Sequence, residues 1–269
     1  MSNLLYLITF LAYTVLAVYF WRKQVAGQGD VLNRSAMIHL VWVPLALHAY
    51  LLYGNLYGSG QLNLGLVPAL SLMLWLTMLV YWVARFFYPI ASLITLGLPL
   101  AAVAAVLPAI FTTVHPLPND ASLALEMHIL AAMLAYSLFI IAVLHAGLMS
   151  WVESRLHHAS LPKVLQGLPP LLTMEILLFR IIAVGFVLLT LTLASGMVFS
   201  EQIFGKPWQF NHKVLFGFIS WTVFGVLLLG HYYRGWRGRT AVRWTMSGFV
   251  FLVLAYLGSQ FVAEVFLRR

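Results

Sequence analysis

Between two apolar runs lies the stretch IFGKPWQFNHK, residues 203–213, in which Phe204, Trp208 and Phe210 alternate with Gly205, Lys206, Pro207, His212 and Lys213. Flat apolar faces, two cations and an imidazole in one short connection are the side chains that grip a flat, anionic, metal-bearing molecule. An interfacial aromatic belt accounts for the tryptophan alone, because Trp and Tyr gather at both surfaces of a bilayer. It does not account for the interleaved cations and histidine. The chain carries nine histidines, and a neutral imidazole is a good ligand for iron, copper and zinc. Cysteine is absent, which excludes thiolate metal sites, iron–sulfur clusters and disulfide exchange. There is no supported Ser-His-Asp set, no Gly-rich phosphate loop and no pair of intramembrane carboxylates. The residues therefore point to binding, with no bond-making step of their own, and leave enzymatic activity unassigned.

The elements that position these side chains are membrane helices. Of 269 residues, 62% are hydrophobic and only 8% charged, and the apolar runs approach or exceed the ~20 residues that cross a bilayer as a helix. Backbone groups in lipid must bond within their own segment, and the runs far exceed the ~10-residue strands of an outer-membrane barrel. The expected fold class is all-α, a single polytopic transmembrane domain over residues 1–269. Eight spans are expected, at 3–21, 36–53, 62–84, 88–112, 124–150, 174–199, 212–233 and 245–266, the third and fourth forming a tight hairpin across Arg85. The first run is kept as a span because Arg22 and Lys23 follow it and no basic residue precedes it, the reverse of a signal peptide.

Alternate connections differ in charge. One set holds Arg22, Lys23, Arg34, Arg85, Arg155, Lys163, Arg234, Arg237, Arg239 and Arg243; the other holds only Lys206 and Lys213, with Arg268 and Arg269 at the C-terminus. The positive-inside rule then places both termini outside the cytoplasm and the 203–213 connection on the outer face. The net charge of +8 is thus an orientation signal, not a nucleic-acid footprint, and the bilayer is the expected partner.

Depth sorts the histidines. At 1.5 Å per residue, His48 lies roughly 9 Å and His128 roughly 7 Å below the outer surface. His212 and His115 stand slightly above them. His39, His145 and His231 form an inner tier, roughly 15 to 25 Å away along the normal, so His128 and His231 cannot share one metal centre. Ionisable groups within a bilayer are costly and mark functional sites more often than in soluble cores. Of the common membrane cofactors, haem uses every feature at hand: axial imidazoles, aromatic contact with the porphyrin, and cations for the propionates. A haem of the b type is the expected cofactor, with Phe204, Gly205, Lys206, Trp208, Phe210, His212 and Lys213 lining its outer site and His48 and His128 as its metal ligands.

Residues 127–258 resemble the cytochrome c assembly proteins that handle haem, a family that includes CcsA, CcmC and a HemX/YpjD-like branch. The carriers are Met127-His128 with Ala135-Tyr136, Phe179-Arg180-Ile181-Ile182-Ala183-Val184-Gly185-Phe186 with Ser195-Gly196, and Gly205 and Trp208 of the tryptophan-rich connection. Ile219-Ser220-Trp221, His231 with Gly235-Trp236-Arg237-Gly238, and Tyr256-Leu257-Gly258 complete them. Phe204, Phe210 and Asn211 replace two tryptophans and an aspartate of the family pattern. The resemblance implies that His128 matches an outer haem-ligand histidine and His231 a transmembrane one. The outer histidine that the CcsA pattern carries after Tyr-Leu-Gly is missing here, and His48 is the expected substitute. These departures resemble the HemX/YpjD-like branch and imply a multi-pass protein of a bacterial inner membrane, working beside another membrane protein of haem or cytochrome c biogenesis. The competing expectation is a cofactor-free interaction partner that regulates a haem-biosynthetic enzyme or a neighbouring transport protein.

Overall fold

The computed structural model describes residues 2–28, 36–58, 62–88, 91–111, 123–156, 168–198, 200 and 211–262. Its elements are α1 (Ser2–Val25), α2 (Trp42–Tyr57, entered through the 3-10 turn Ala36–Val41), α3 (Leu66–Ala84), α4 (Ala91–Ile110), α5 (Leu123–Leu156), α6 (Leu171–Val198) and α7 (His212–Arg234). The last is α8 (Gly238–Phe261), which loosens into a π turn at Leu254–Gly258. All eight are long and apolar enough to cross a bilayer. The fold is all-α, as expected for segments that must satisfy their own backbone in lipid.

The largest departures from the expected bounds lie in α8 and α5. The α8 helix starts at Gly238, not residue 245, so Arg239 and Arg243 belong to its first turns and not to a loop. Long arginine stems can lie along apolar surface while the guanidinium reaches water, which lets a helix begin inside a basic stretch. The α5 helix runs on to Leu156, carrying Glu153 and Arg155. At 34 residues it is about 50 Å long, well beyond the ~30 Å hydrocarbon thickness.

The chain forms two compact units, one of residues 1–116 and 151–174, the other of residues 117–150 and 175–269. In the first unit, α1 packs along α4 and α2, and α3 along α2 and α4. Pro108 in α4 has no N–H, so the carbonyl of Ala104, four residues earlier, lacks its helical donor. Ser71 of α3 supplies one, its hydroxyl donating to that oxygen at 2.8 Å. Trp75 donates to the Leu45 carbonyl of α2 at 2.9 Å, and the Tyr6 hydroxyl to Asn55 at 2.9 Å. Polar links of this kind join helices where lipid offers no hydrophobic drive between them.

In the second unit the Phe139 and Phe224 rings stack at 4.0 Å between α5 and α7. Gly185 of α6 and Gly248 of α8 press on this pair, and a methyl at Gly248 would come 2.8 Å from the Phe224 ring. Small residues allow the close approach that helix packing in lipid depends on. Around the stack, Ser220 donates to the Gly248 carbonyl at 2.9 Å and Trp221 to the Thr190 hydroxyl at 2.8 Å. The Trp221 ring also stacks on Phe186. Tyr136 donates to the Leu252 carbonyl at 2.9 Å, two residues before the π turn begins.

Candidate functional site

Two histidines of the second unit, His128 and His231, are held by segments that carry the sequence motifs. His128, near the start of α5, has Nδ1 2.8 Å from the Ser195 hydroxyl of α6. That hydroxyl has one proton and gives it to the Thr192 carbonyl at 3.1 Å. With its proton given there, the oxygen accepts Nδ1–H of His128, the tautomer that keeps the ring's lone pair on Nε2. Gly196 lies against the same ring, a methyl there coming 3.3 Å from His128 Cε1. Ser195 sets the tautomer; Gly196 leaves room for the ring.

His231, near the end of α7, is fixed by the turn that follows it. Gly235 takes a left-handed conformation at φ 65°; its N–H donates to the His231 carbonyl and that of Trp236 to the Gly230 carbonyl. The closure from Gly235 to His231 is the αL cap motif, and glycine is its favoured residue. The turn folds the Trp236 indole onto Gly230, where even a methyl would run into the ring. It also brings the Trp236 carbonyl 2.9 Å from His231 Nδ1. A carbonyl only accepts, so His231 too carries its proton on Nδ1 and its lone pair on Nε2. Phe179 of α6 stacks on the imidazole at 3.5 Å. One turn earlier on α6, Glu175 pairs with Arg237 at 3.2 Å, so both side chains of α6 grip this turn.

Ser195 and Phe179 stand roughly 16 residues apart on α6, about 24 Å along its axis, so the two imidazoles occupy opposite ends of the unit. His212 and Lys213 open α7, behind the cap in which the Asn211 side chain accepts from the Val214 N–H at 3.1 Å. Both are exposed. Gly217, a turn further on, lies against Leu193, which puts this opening at the end of the unit where His128 meets Ser195. A lysine in a first turn faces the positive end of the helix dipole, so Lys213 gains nothing from its own helix. Phe204, Gly205, Lys206, Trp208 and Phe210, like His115, lie outside the described residues.

His48 belongs to the first unit and is 1% exposed. Its Nε2 lies 2.9 Å from the Ser71 hydroxyl, whose proton is committed to Ala104, so Nε2 is the protonated atom. Nδ1 carries the lone pair and faces the Tyr13 hydroxyl at 3.4 Å. Both nitrogens are engaged, with the tautomer opposite to that of His128 and His231. In the inner tier, His39 accepts from Arg85 at 2.8 Å and His145 is fully buried. Among the described residues no three His, Asp or Glu side chains gather as a metal-ion site; an iron held equatorially by a porphyrin asks a protein for only one or two axial donors.

Sequence reasoning missed the groups that orient the imidazoles. Ser195 was visible only as half of a motif, the Trp236 carbonyl is backbone, and Ser71 and Tyr13 carried no signal.

Eight helices long and apolar enough to cross a bilayer, among the described residues, define a polytopic membrane protein. The chain belongs to the family described as Cytochrome C assembly protein, whose model matches residues 43–267. It is 36% identical over 146 residues to the inner membrane protein YpjD of Escherichia coli K12, covering 54% of each chain. It is 37% identical over 89 residues to the cytochrome c biogenesis protein CcsA of Prochlorococcus marinus MIT 9515, covering 33% of this chain and 28% of that one. CcsA of strain MIT 9312 is 36% identical over the same length, covering 33% and 29%. The chain thus spans about half the length of the YpjD relative and less than a third of the CcsA relatives. No solved structure matches it.

Proposed function

We propose that this protein binds and handles haem in the service of cytochrome c assembly, through His128 at one end of the second unit and His231 at the other. The observation that carries the reading is the shared orientation of these imidazoles. His231 gives Nδ1–H to the Trp236 carbonyl and His128 turns Nδ1 to the Ser195 hydroxyl, so in each Nε2 is the nitrogen left for a metal. Metal-bound histidines are oriented in this way, the second nitrogen donating to an outer partner that sets tautomer and basicity. The donor set therefore fits an axial role, and haem when bound would supply an iron that accepts the Nε2 lone pair.

The outer connection is assigned to the same site: Phe204, Gly205, Trp208 and Phe210 as porphyrin contacts, and Lys206, His212 and Lys213 as donors to the propionates, where charge-assisted bonds fix orientation. His48 is proposed as a further axial donor at a stated cost. Iron on its Nδ1 would displace the Tyr13 hydroxyl, and the proton on Nε2 would stay with Ser71. The proposed haem is b-type, since cysteine is absent. The basic connections support an orientation with both termini outward, the likeness to the inner membrane protein YpjD supports a bacterial inner membrane, and a second membrane protein of haem or cytochrome c biogenesis is the proposed partner.

Membranes of cells overproducing the full chain test the proposal. Haem should co-purify through detergent in a fixed ratio to protein, and His128→Ala with His231→Ala should abolish it. Wild-type protein that purifies folded but haem-free after haem supplementation would leave the cofactor-free interaction partner as the better reading.

A further inference from the structure

At the loop end of α3 in the first unit a cation sits among donors that have nothing to donate to. The Arg85 guanidinium gives Nη2–H to His39 Nδ1 at 2.8 Å and lies over two rings, 4.3 Å from the centroid of Phe86 and 5.5 Å from that of Trp82. Trp82 in turn packs on Trp42 at 5.2 Å. Neither Arg85 Nε nor Trp82 Nε1 has a hydrogen-bond partner among the described residues, although both atoms are buried. No described carboxylate pairs with the guanidinium, and burial lowers it from its ordinary value. Guanidinium nevertheless stays protonated in proteins.

A buried donor left unsatisfied costs roughly 1 to 3 kcal/mol, and more when it is charged. Two such donors three residues apart on one helix face are satisfied together by an oxyanion with several lone pairs. His39 already holds the guanidinium in place through its remaining arm, so the arrangement is organised before a ligand arrives. The depth identifies the oxyanion. Arg85 immediately follows the last residue of a membrane-crossing helix, and Trp42, Phe86 and Phe87 are 51%, 58% and 76% exposed around it, as side chains at headgroup level are.

We infer that Arg85, Trp82 and His39 form a binding site for the phosphate of an anionic phospholipid headgroup. The aromatic rim lies among the upper acyl carbons, and the guanidinium and indole N–H meet the phosphate oxygens. This site shares no residue with the proposed haem ligands and does not depend on them.

The test uses the full chain purified in a non-ionic detergent. Phosphatidylglycerol, phosphatidylcholine and inorganic phosphate are titrated in turn, with native mass spectrometry counting bound lipid and thermal unfolding reporting protection. Phosphatidylglycerol should be retained and should raise Tm, with phosphatidylcholine and inorganic phosphate about ten-fold weaker. Loss of a charge-assisted pair in Arg85→Gln should weaken phosphatidylglycerol binding about ten-fold or more. Trp82→Phe, which keeps the ring and removes the donor, should weaken it a few-fold. Equal binding of the two lipids would overturn the inference, as would an Arg85→Gln protein that binds phosphatidylglycerol like wild type. Inorganic phosphate matching the lipid would make this a free-phosphate site and end the lipid assignment. Should Arg85→Gln fail to fold, unchanged phosphatidylglycerol affinity in Trp82→Phe overturns the inference by itself.

Discussion

The carbonyl oxygen of Trp236 accepts from Nδ1 of His231 at 2.9 Å, so a residue beyond the end of α7 orients a side chain inside it. Gly235 makes this possible by turning the backbone at φ 65°, and Gly230 makes room for the indole that comes back with it. The Gly-Trp-x-Gly pattern is thus a clamp for one imidazole. Phe179 covers the ring face and the Glu175–Arg237 pair closes the turn from α6.

Gly235→Ala should destabilise the protein by about 1 to 2 kcal/mol, the cost of a left-handed conformation for a residue with a Cβ. Gly235→Asn, which tolerates that region, should cost distinctly less. Thermal unfolding in detergent checks the order, and equal losses would show that the turn does not depend on the left-handed geometry.

Ser195→Ala removes the acceptor that orients His128 while leaving the imidazole in place. Loss of such an outer partner typically weakens metal binding 10- to 100-fold, and that is the expected fall in haem affinity at the His128 site. The Thr192 carbonyl loses only a side-chain donor, so the unfolding midpoint should move little. Titration of haem into apoprotein, read beside the melting curve, separates ligand orientation from a general loss of structure.

The first unit offers a coupling test. Ser71→Ala takes away the donor to the Ala104 carbonyl and the acceptor of His48 Nε2–H, and leaving buried groups unpaired should cost about 1 to 3 kcal/mol each. Pro108→Ala restores the missing helical N–H to Ala104. In the Pro108→Ala background, Ser71→Ala should therefore cost less than alone, by about 1 kcal/mol in a double-mutant cycle. Strict additivity would mean that Ser71 does not serve the carbonyl freed by proline.

The eight helices were legible because runs of apolar residues long enough to cross a bilayer leave few alternatives. The α8 start was not, since Arg239 and Arg243 read as a charged loop and only the backbone at Arg237 and Gly238 shows the helix beginning among them. In the second unit, Ser195, Tyr136, Trp221 and Trp236 all lay within motifs, and each proves to make a named hydrogen bond to a distant or reversed part of the chain. The motifs gave the residues but not the bonds, because partners such as His128 and Ser195 are brought together by packing across 67 positions. In the first unit even the residues were silent. Depth alone grouped His48 with His128, and depth says nothing of which nitrogen carries the proton. Ser71 and Tyr13 settle that, and Ser71 is where it is because Pro108, far along the chain, leaves a carbonyl without a donor.

The central claim is that His128 and His231 present Nε2 to haem iron. Visible absorption spectra of haem co-purified with wild type, His128→Ala, His231→Ala and His48→Ala, normalised to folded protein, test it most directly. The account expects low-spin imidazole-ligated haem in wild type, with loss or a change to high spin of a distinct fraction in His128→Ala and of the remainder in His231→Ala. It expects His48→Ala to remove the haem fraction held through His48 Nδ1. Spectra and haem content unchanged in both His128→Ala and His231→Ala would contradict it.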